Sequence, residues 1–298
     1  MNVGFIGLGT MGGTMARNLL QKGHQLVVAD VNPDAVAMLT AEGAREAAIP
    51  LEVAAASEIV ITMLPDAPDV ERVALGGGGI AAGVRKGSIY IDMSTIDPET
   101  TRRIGAAIAI AGASMIDCPV GKTADAAVAG TLTLMAGGAP EIVARCRPVL
   151  DCMGTDFFYC GGLGSGQTMK LINNLLATAV SEASIEALVS GTKAGLTLDT
   201  MLSVLRTTMA WNNALAISLP KRPLAGDFAP GFMMKLAHKD CRLALAMEEG
   251  LGVAVPVGRA AFASVEEALR RGLQDHDVGA LLKLREDSAG VEVRLATP

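Results

Sequence analysis

The chain opens with a short apolar run, residues 3–6, that leads directly into Gly7-Leu8-Gly9-Thr10-Met11-Gly12 and on into a helix-like stretch, residues 10–22. Three glycines at this spacing, set between a strand and a helix, leave few folds open. Gly7 lets the chain turn tightly, Gly9 keeps the backbone bare enough for a pyrophosphate to approach, and Gly12 lets the helix pack close to the strand. The helix start then offers unpaired N–H groups and the positive end of its dipole to the phosphates. Gly7, Gly9, Thr10, Met11 and Gly12 are therefore candidate dinucleotide contacts. A ligand-free glycine turn or a methyltransferase loop uses similar letters, but the spacing here is that of a dinucleotide fold.

The same grammar continues downstream. Short apolar or β-branched runs at 26–29, 59–63, 88–91, 114–116 and 131–135 are interleaved with amphipathic stretches at 33–42, 98–111 and 140–152. Asn32 before Pro33 and Asp97 before Pro98 are helix-start signals. Such alternation predicts a mostly parallel sheet covered on both faces. After Tyr159 the pattern changes: residues 161–166 read GGLGSG, and from there to the terminus the period is helical almost throughout. A length of 298 residues suits two domains. The expectation is a Rossmann-type, doubly wound α/β domain over 1–163 and an all-helical domain over 164–298. One long helix, 167–193, would open the second domain, with Gly191 and Gly195 marking its end.

Composition narrows the function classes. Residues 1–163 hold 11 basic against 17 acidic side chains and the remainder holds 14 of each, so a basic footprint for nucleic acid is missing. Five cysteines without a C-x-x-C pair, and only three histidines, fit reduced thiols and argue against a disulfide framework or a metal centre. Residue 1 leads straight into a strand pattern, and no uncharged stretch reaches the ~18 apolar residues of a membrane span. A cytoplasmic protein is expected. With nine aromatic rings in all, the chain is poorly equipped for a large apolar ligand, and a small polar one is expected, with Trp211 and Phe232 among the few rings able to line its wall.

Further residues bear on chemistry. Asp30 ends the second strand pattern, 18 residues past Gly12, close to the ~20 expected of an acid that accepts hydrogen bonds from an adenosine ribose. Its charge would repel the extra phosphate of NADP, and Val31 and Asn32 bring no arginine to receive it, so NAD is favoured over NADP. The alternative role for Asp30 is a turn cap before Pro33, which Asn32 fills equally well. On the long helix, Lys170, Asn174, Thr178 and Ser181 form one narrow polar stripe. The flanks Leu171, Ile172, Leu175, Leu176, Ala179 and Val180 predict burial on most sides. A desolvated lysine there is a general acid/base candidate, the alternative being an exposed lysine near a helix start. The segment Asp117-Cys118-Pro119-Val120-Gly121-Lys122-Thr123 follows a strand pattern, where ligands bind in such sheets. Backbone N–H groups at Gly121, the Lys122 charge and the Thr123 hydroxyl could hold an anionic head group, although Lys122 reads equally well as a plain surface lysine. Cys118 has no histidine beside it in sequence, which argues against a thiol nucleophile. His238-Lys239-Asp240, on its own, reads as a solvated ion pair.

Together the motifs resemble the β-hydroxyacid dehydrogenase (3-hydroxyisobutyrate dehydrogenase) family over the whole chain. They are GFIGLGTMG at 4–12, DMST at 92–95, DCPV at 117–120, GTLTLMAGG at 130–138, GSGQTMKLINN at 164–174 and AHKD at 237–240. The resemblance implies hydride transfer between NAD, or alternatively NADP, and a short β-hydroxy acid, in a homodimer or homotetramer. It implies Lys170 as catalytic acid/base and Asn174 as a substrate-orienting residue; Phe232, one of the few rings, is a further candidate substrate contact. Leu64, Pro65, Thr95 and Lys239 would lie on the cofactor, with Asp240 beside Lys239. One departure stands out: most of the family reads Ser-Gly-Gly where this chain has Gly121-Lys122-Thr123. That triplet is similar to the Gly-Arg-Thr of the sulfolactaldehyde reductase branch, with a point charge in place of a planar fork. The resemblance thus points to a three-carbon substrate with a sulfonate or phosphonate end. The alternatives are a carboxylate dehydrogenase of the 3-hydroxyisobutyrate or tartronate semialdehyde type, and a nucleotide-binding protein without turnover. Imine reductases share the architecture but typically lack the lysine.

Overall fold

A computed structural model describes residues 1–295. The chain divides into two compact units, Met1–Lys170 and Leu171–Pro298. The first unit is built on nine strands: β1 (Asn2–Ile6), β2 (Gln25–Ala29), β3 (Arg45–Glu46), β4 (Ile59–Thr62), β5 (Ile89–Asp92), β6 (Ser114–Asp117), β7 (Val120–Gly121), β8 (Leu132–Gly137) and β9 (Gly154–Gly161). They form one sheet in the order β3-β2-β1-β4-β5-β6-β8-β7, with β9 paired to β8. The first six strands are mutually parallel, and β8 then runs antiparallel to β6 and β7. The strand order reverses between β1 and β4, and in such sheets the crevice outside the strand carboxyl ends at that point receives the ligand.

The strands read as near-continuous apolar runs because both of their faces are covered. Alternate side chains feed two separate apolar layers. Phe5, Leu19, Val28, Ile61 and Ile91 belong to one, and Ile6, Val27, Val60, Tyr90 and Ile104 to the other. The helix-start signals act as expected: Asn32 Oδ1 accepts from Asp34 N at 3.0 Å, and Asp97 Oδ1 from Thr100 N at 2.7 Å. Strands β3, β7 and β9 are not apparent in the sequence. The first two are two residues long, too short for a period of two to show, and β9 carries mostly half-buried or exposed side chains, including Phe158 and Tyr159.

The second unit is helical among the described residues. Helices Leu198–Leu205, Met234–Gly250, Pro256–Arg270 and Leu281–Ala289 surround a core that includes Ile185, Leu188, Met201, Val265 and Leu281. The helix Ser165–Lys193 carries the chain from the first unit into the second. Gly191, expected at its end, lies inside it, where a Cβ would come within 2.2 Å of Met201 Sδ. Its hydrogen is there for close packing, and the left-handed residue beyond the helix is Gly195 (φ +93°). The expectation that this helix is buried on most sides also needs correction. Leu171 and Leu175 are buried, but Met169, Ile172 and Leu176 are 40%, 41% and 61% exposed, so one side of its early turns is an uncovered apolar stripe. No helix among the described residues is long and apolar enough to cross a membrane.

Candidate active site

The glycine loop has the geometry that its letters suggest. Gly7 takes a left-handed φ of +95°, and a Cβ there would lie 2.3 Å from the Met63 carbonyl oxygen at the end of β4. A Cβ on Gly12 would sit 1.9 Å from the Gly7 carbonyl oxygen, so helix and turn touch directly. Gly9 is different: it is exposed, and nothing lies within 4 Å of where its Cβ would be. Its backbone is bare where a pyrophosphate would approach, and the helix Gly12–Gln21 starts directly behind it. Thr10 is exposed and Met11 half-buried beside it.

Asp30, just past the end of β2, is not the helix cap; Asn32 takes that place. The Asp30 carboxylate instead accepts the backbone N–H of Leu8 inside the glycine loop, and that of Asn32 at 2.7 Å. It ties the loop to β2, and a carboxylate has further lone pairs for a ribose hydroxyl. These features fit a dinucleotide.

Next along the sheet, the ends of β4, β5 and β6 carry a buried polar chain. Thr62 Oγ1 donates to Asp92 Oδ1 at 2.8 Å, which also accepts Ser94 N at 3.1 Å. Ser94 Oγ accepts the N–H of Leu64 at 2.9 Å, holding the segment that leads into Pro65. Asp117, fully buried at the end of β6, accepts Gly164 N at 2.7 Å through Oδ1 and Gln167 N at 2.8 Å through Oδ2. It thereby caps the long helix. Burial pushes its carboxyl up to about 6 against the pull of those two N–H donors, and the nearby Asp92 adds to the rise. Glycines make the close approach feasible: a Cβ on Gly166 would lie 2.2 Å from the Met135 carbonyl oxygen, and one on Gly137 2.5 Å from Asp117 Oδ1. Gln167, also fully buried, donates from Nε2 to the Ser94 carbonyl at 2.8 Å and accepts the Ile96 N–H at 3.2 Å. Those two groups flank Thr95, which is half-buried.

Lys170 lies three residues further along the same helix and is half-buried. Asn174, at i+4 from it, is buried and donates from Nδ2 to Asp240 Oδ2 at 2.6 Å. Lys239 Nζ lies 3.3 Å from Asp240 Oδ1, with both side chains largely buried, so this pair is not the solvated one that the sequence suggests in isolation. Phe232 is half-buried, its N–H bonded to Asp277 Oδ2 at 2.9 Å. Trp211 packs on the core of the helical unit with the Arg206 guanidinium 5.3 Å from its ring centre.

The loop after β7 alters one expectation. The sequence presents Lys122 as an uncommitted charge, yet its Nζ pairs with Asp156 Oδ2 at 2.6 Å and donates to the Thr131 carbonyl at 2.7 Å. Among the described residues it is the one non-glycine with a left-handed φ, 74°, a conformation that bears a steric cost for any side chain with a Cβ. Gly121 is buried in β7, and Thr123 is exposed ahead of the short helix Ala124–Ala129. Asp156, on the unanticipated strand β9, leaves no local trace in the sequence. The parts played by Asp117 and Gln167 are not legible there either, although both stand inside the motif stretches DCPV and GSGQTMKLINN. Among the described residues no three His, Cys, Asp or Glu are grouped to hold a metal ion.

Comparison with known proteins agrees with this geometry. Residues 2–162 match the NAD binding domain of 6-phosphogluconate dehydrogenase, and residues 164–285 match a family described as NAD-binding of NADP-dependent 3-hydroxyisobutyrate dehydrogenase. The chain is 41% identical to a 3-sulfolactaldehyde reductase of Escherichia coli over 98% of both chains. Among solved structures, it resembles 3-hydroxyisobutyrate dehydrogenase of Mycobacterium tuberculosis with L-serine, at TM-score 0.89 and 31% identity, covering 95% of this chain and 98% of that one. It also resembles Psf3 in complex with NADP+ and 2-OPP, at TM-score 0.84 and 26% identity, covering 95% and 99%. The chain belongs to the 3-hydroxyisobutyrate dehydrogenase family and is an NAD(P)-dependent oxidoreductase acting on CH–OH groups.

Proposed function

We propose that the chain interconverts an alcohol and its aldehyde or ketone on a three-carbon substrate whose far end is a sulfonate or phosphonate, with NAD preferred to NADP. The observation that carries the chemical step is the placement of Lys170 one turn into a helix whose first turn is bonded to the peptide groups on either side of Thr95. When bound, the nicotinamide supplies the hydride acceptor or donor at C4. In reduction the Lys170 ammonium gives a proton to the carbonyl oxygen, and in oxidation its amine takes the hydroxyl proton. Asn174, held by Asp240, orients the reacting end. Leu64, Pro65, Thr95 and Lys239 line the cofactor, and Phe232 borders the substrate.

The backbone at Gly121 and the Thr123 hydroxyl receive the anionic end, with Lys122 as the nearby charge. A tetrahedral head group has three oxygens for these donors, and the similarity to a 3-sulfolactaldehyde reductase supports the sulfonate. The exposed stripe of Met169, Ile172 and Leu176 supports a homodimer or homotetramer, with residues 164–298 as the substrate and dimerisation domain. Five free cysteines support a reducing compartment, the cytoplasm.

The test is a panel of alcohols: 2,3-dihydroxypropane-1-sulfonate, its phosphonate counterpart, 3-hydroxyisobutyrate and L-serine, each with NAD+ and with NADP+. The highest kcat/KM is expected for the sulfonate or phosphonate with NAD+. Preference for a carboxylate would move the protein to the ordinary branch of the family, and absence of turnover with all four would remove the substrate assignment.

A further inference from the structure

We infer that Gln167 is a positioning residue whose carboxamide sets the place of Lys170 against Thr95; the inference rests on Lys170 being the acid/base proposed above. The two bonds of that side chain go to Ser94 O and Ile96 N, so one buried group brackets a single residue of the opposing loop. Capping does not call for it. The backbone N–H groups of Gly164 and Gln167 are already taken by Asp117, and a helix start needs no buried amide side chain beyond that. What the carboxamide adds is register. It locks the first turn of the helix to the Ser94–Ile96 segment in both sliding and rotation, because donor and acceptor sit on one planar group and engage the two adjacent peptide groups that flank Thr95.

Lys170 stands at i+3 from Gln167, about 4.5 Å along the helix axis and neighbouring it on the helix surface. Over one turn a helix moves as a rigid body, so a displacement at Gln167 is passed on to the Lys170 backbone with little loss. The same loop is fixed on its other side by Leu64 N donating to Ser94 Oγ. Three candidate contacts, Leu64, Thr95 and Lys170, are thereby joined through two side chains, Ser94 and Gln167, neither of which needs to touch substrate or cofactor.

The test compares Gln167→Met, which keeps length and helix propensity but removes both bonds, with Gln167→Glu, which keeps the acceptor for Ile96 N–H and sets an oxygen against the Ser94 carbonyl. Turnover is measured with 2,3-dihydroxypropane-1-sulfonate and NAD+, or with 3-hydroxyisobutyrate if the panel favours the carboxylate. Active enzyme is counted by NADH fluorescence titration, so unfolded protein does not enter the rate. Since a misplacement of about 1 Å costs on the order of 10²-fold, kcat is expected to fall by about 10- to 100-fold. KM for NAD+ should stay within twofold. The solvent deuterium isotope effect on kcat should rise, because proton transfer by a misplaced Lys170 becomes slower; a purely structural defect would not move that effect.

The inference is overturned if a folded variant keeps kcat within twofold, if it loses rate with an unchanged isotope effect, or if neither variant folds. Lys170→Ala separates the two levels. Wild-type turnover in that variant would remove the acid/base reading itself, whereas loss of turnover there beside unaffected Gln167 variants would remove only the positioning role.

Discussion

Gly9 and Gly12 belong to one loop yet make opposite predictions, and the contrast tests whether each is shaped for a ligand or for the fold. At Gly9 a methyl group meets nothing within 4 Å, and the residue is not among the glycines with left-handed φ. Gly9→Ala should therefore leave the cofactor-free protein as stable as before, or up to about 1 kcal/mol more stable through the lower entropy of its unfolded chain. For a unit of this size that is a rise in Tm of roughly 2–4 °C at most. The same methyl lies where a pyrophosphate must approach, so the Kd for NADH should rise at least tenfold, or about 1.4 kcal/mol.

At Gly12 the Cβ would sit 1.9 Å from the Gly7 carbonyl oxygen, well inside the 3.4 Å where ordinary contact begins. Loop or helix must move by more than an ångström, at an overpacking cost of about 1–3 kcal/mol. Tm should fall by roughly 2–12 °C in the cofactor-free protein. Thermal melts without nucleotide and fluorescence titration with NADH give both numbers for each variant. A Gly9→Ala protein that loses stability yet binds NADH like wild type would overturn the contrast, since the open space would then belong to the fold and not to the ligand.

The Lys122–Asp156 pair is half-exposed on both sides, where such pairs are worth about 0.2–1 kcal/mol. Asp156→Asn should release the ammonium toward the head group and lower KM for the sulfonate alcohol about two- to fivefold, while Lys122→Ser raises it; unchanged KM in both variants would place the anionic end elsewhere. Asp117 has a folded-state carboxyl pKa raised to about 6 by burial. Between roughly pH 4, near the ordinary value, and pH 6 the unfolded chain gives up this proton while the native one retains it. Its contribution to stability is therefore full below that window and is lost as pH rises through it. Urea titrations across that range should show Asp117→Asn with a flatter pH dependence than wild type. Asp30→Ala should narrow the preference for NAD over NADP in kcat/KM, and an identical ratio before and after would contradict a ribose contact.

The Asp117 region shows why a motif can be visible without its role being readable. Asp117 and Gln167 stand 50 residues apart in the chain, in the separate stretches DCPV and GSGQTMK, yet they meet with Gly137 and Gly166 at one packed junction. Each glycine is there because a carbonyl or carboxylate oxygen occupies the space of its Cβ, and Asp117 is there because two N–H groups of the helix start need an acceptor. None of these reasons is local.

Whatever rests on neighbours along the chain is legible in the letters. The glycine fingerprint, the alternation of strand and helix, the capping Asn32 and Asp97, and the change to helical period after Tyr159 all come from local geometry and burial with a regular repeat. So does the polar stripe on which Lys170 and Asn174 share a face. Who partners whom is set only by the folded chain. It gives Lys122 to Asp156 and Thr131, Asp30 to Leu8, Asn174 to Asp240, and Gln167 to both sides of Thr95. It also leaves Met169, Ile172 and Leu176 uncovered on a helix whose apolar letters suggest enclosure. The physical reason is range: propensity, capping and periodicity act over a few residues, whereas a charge or an amide is satisfied by whichever group the folded chain brings within hydrogen-bond distance, however far away that partner lies in sequence.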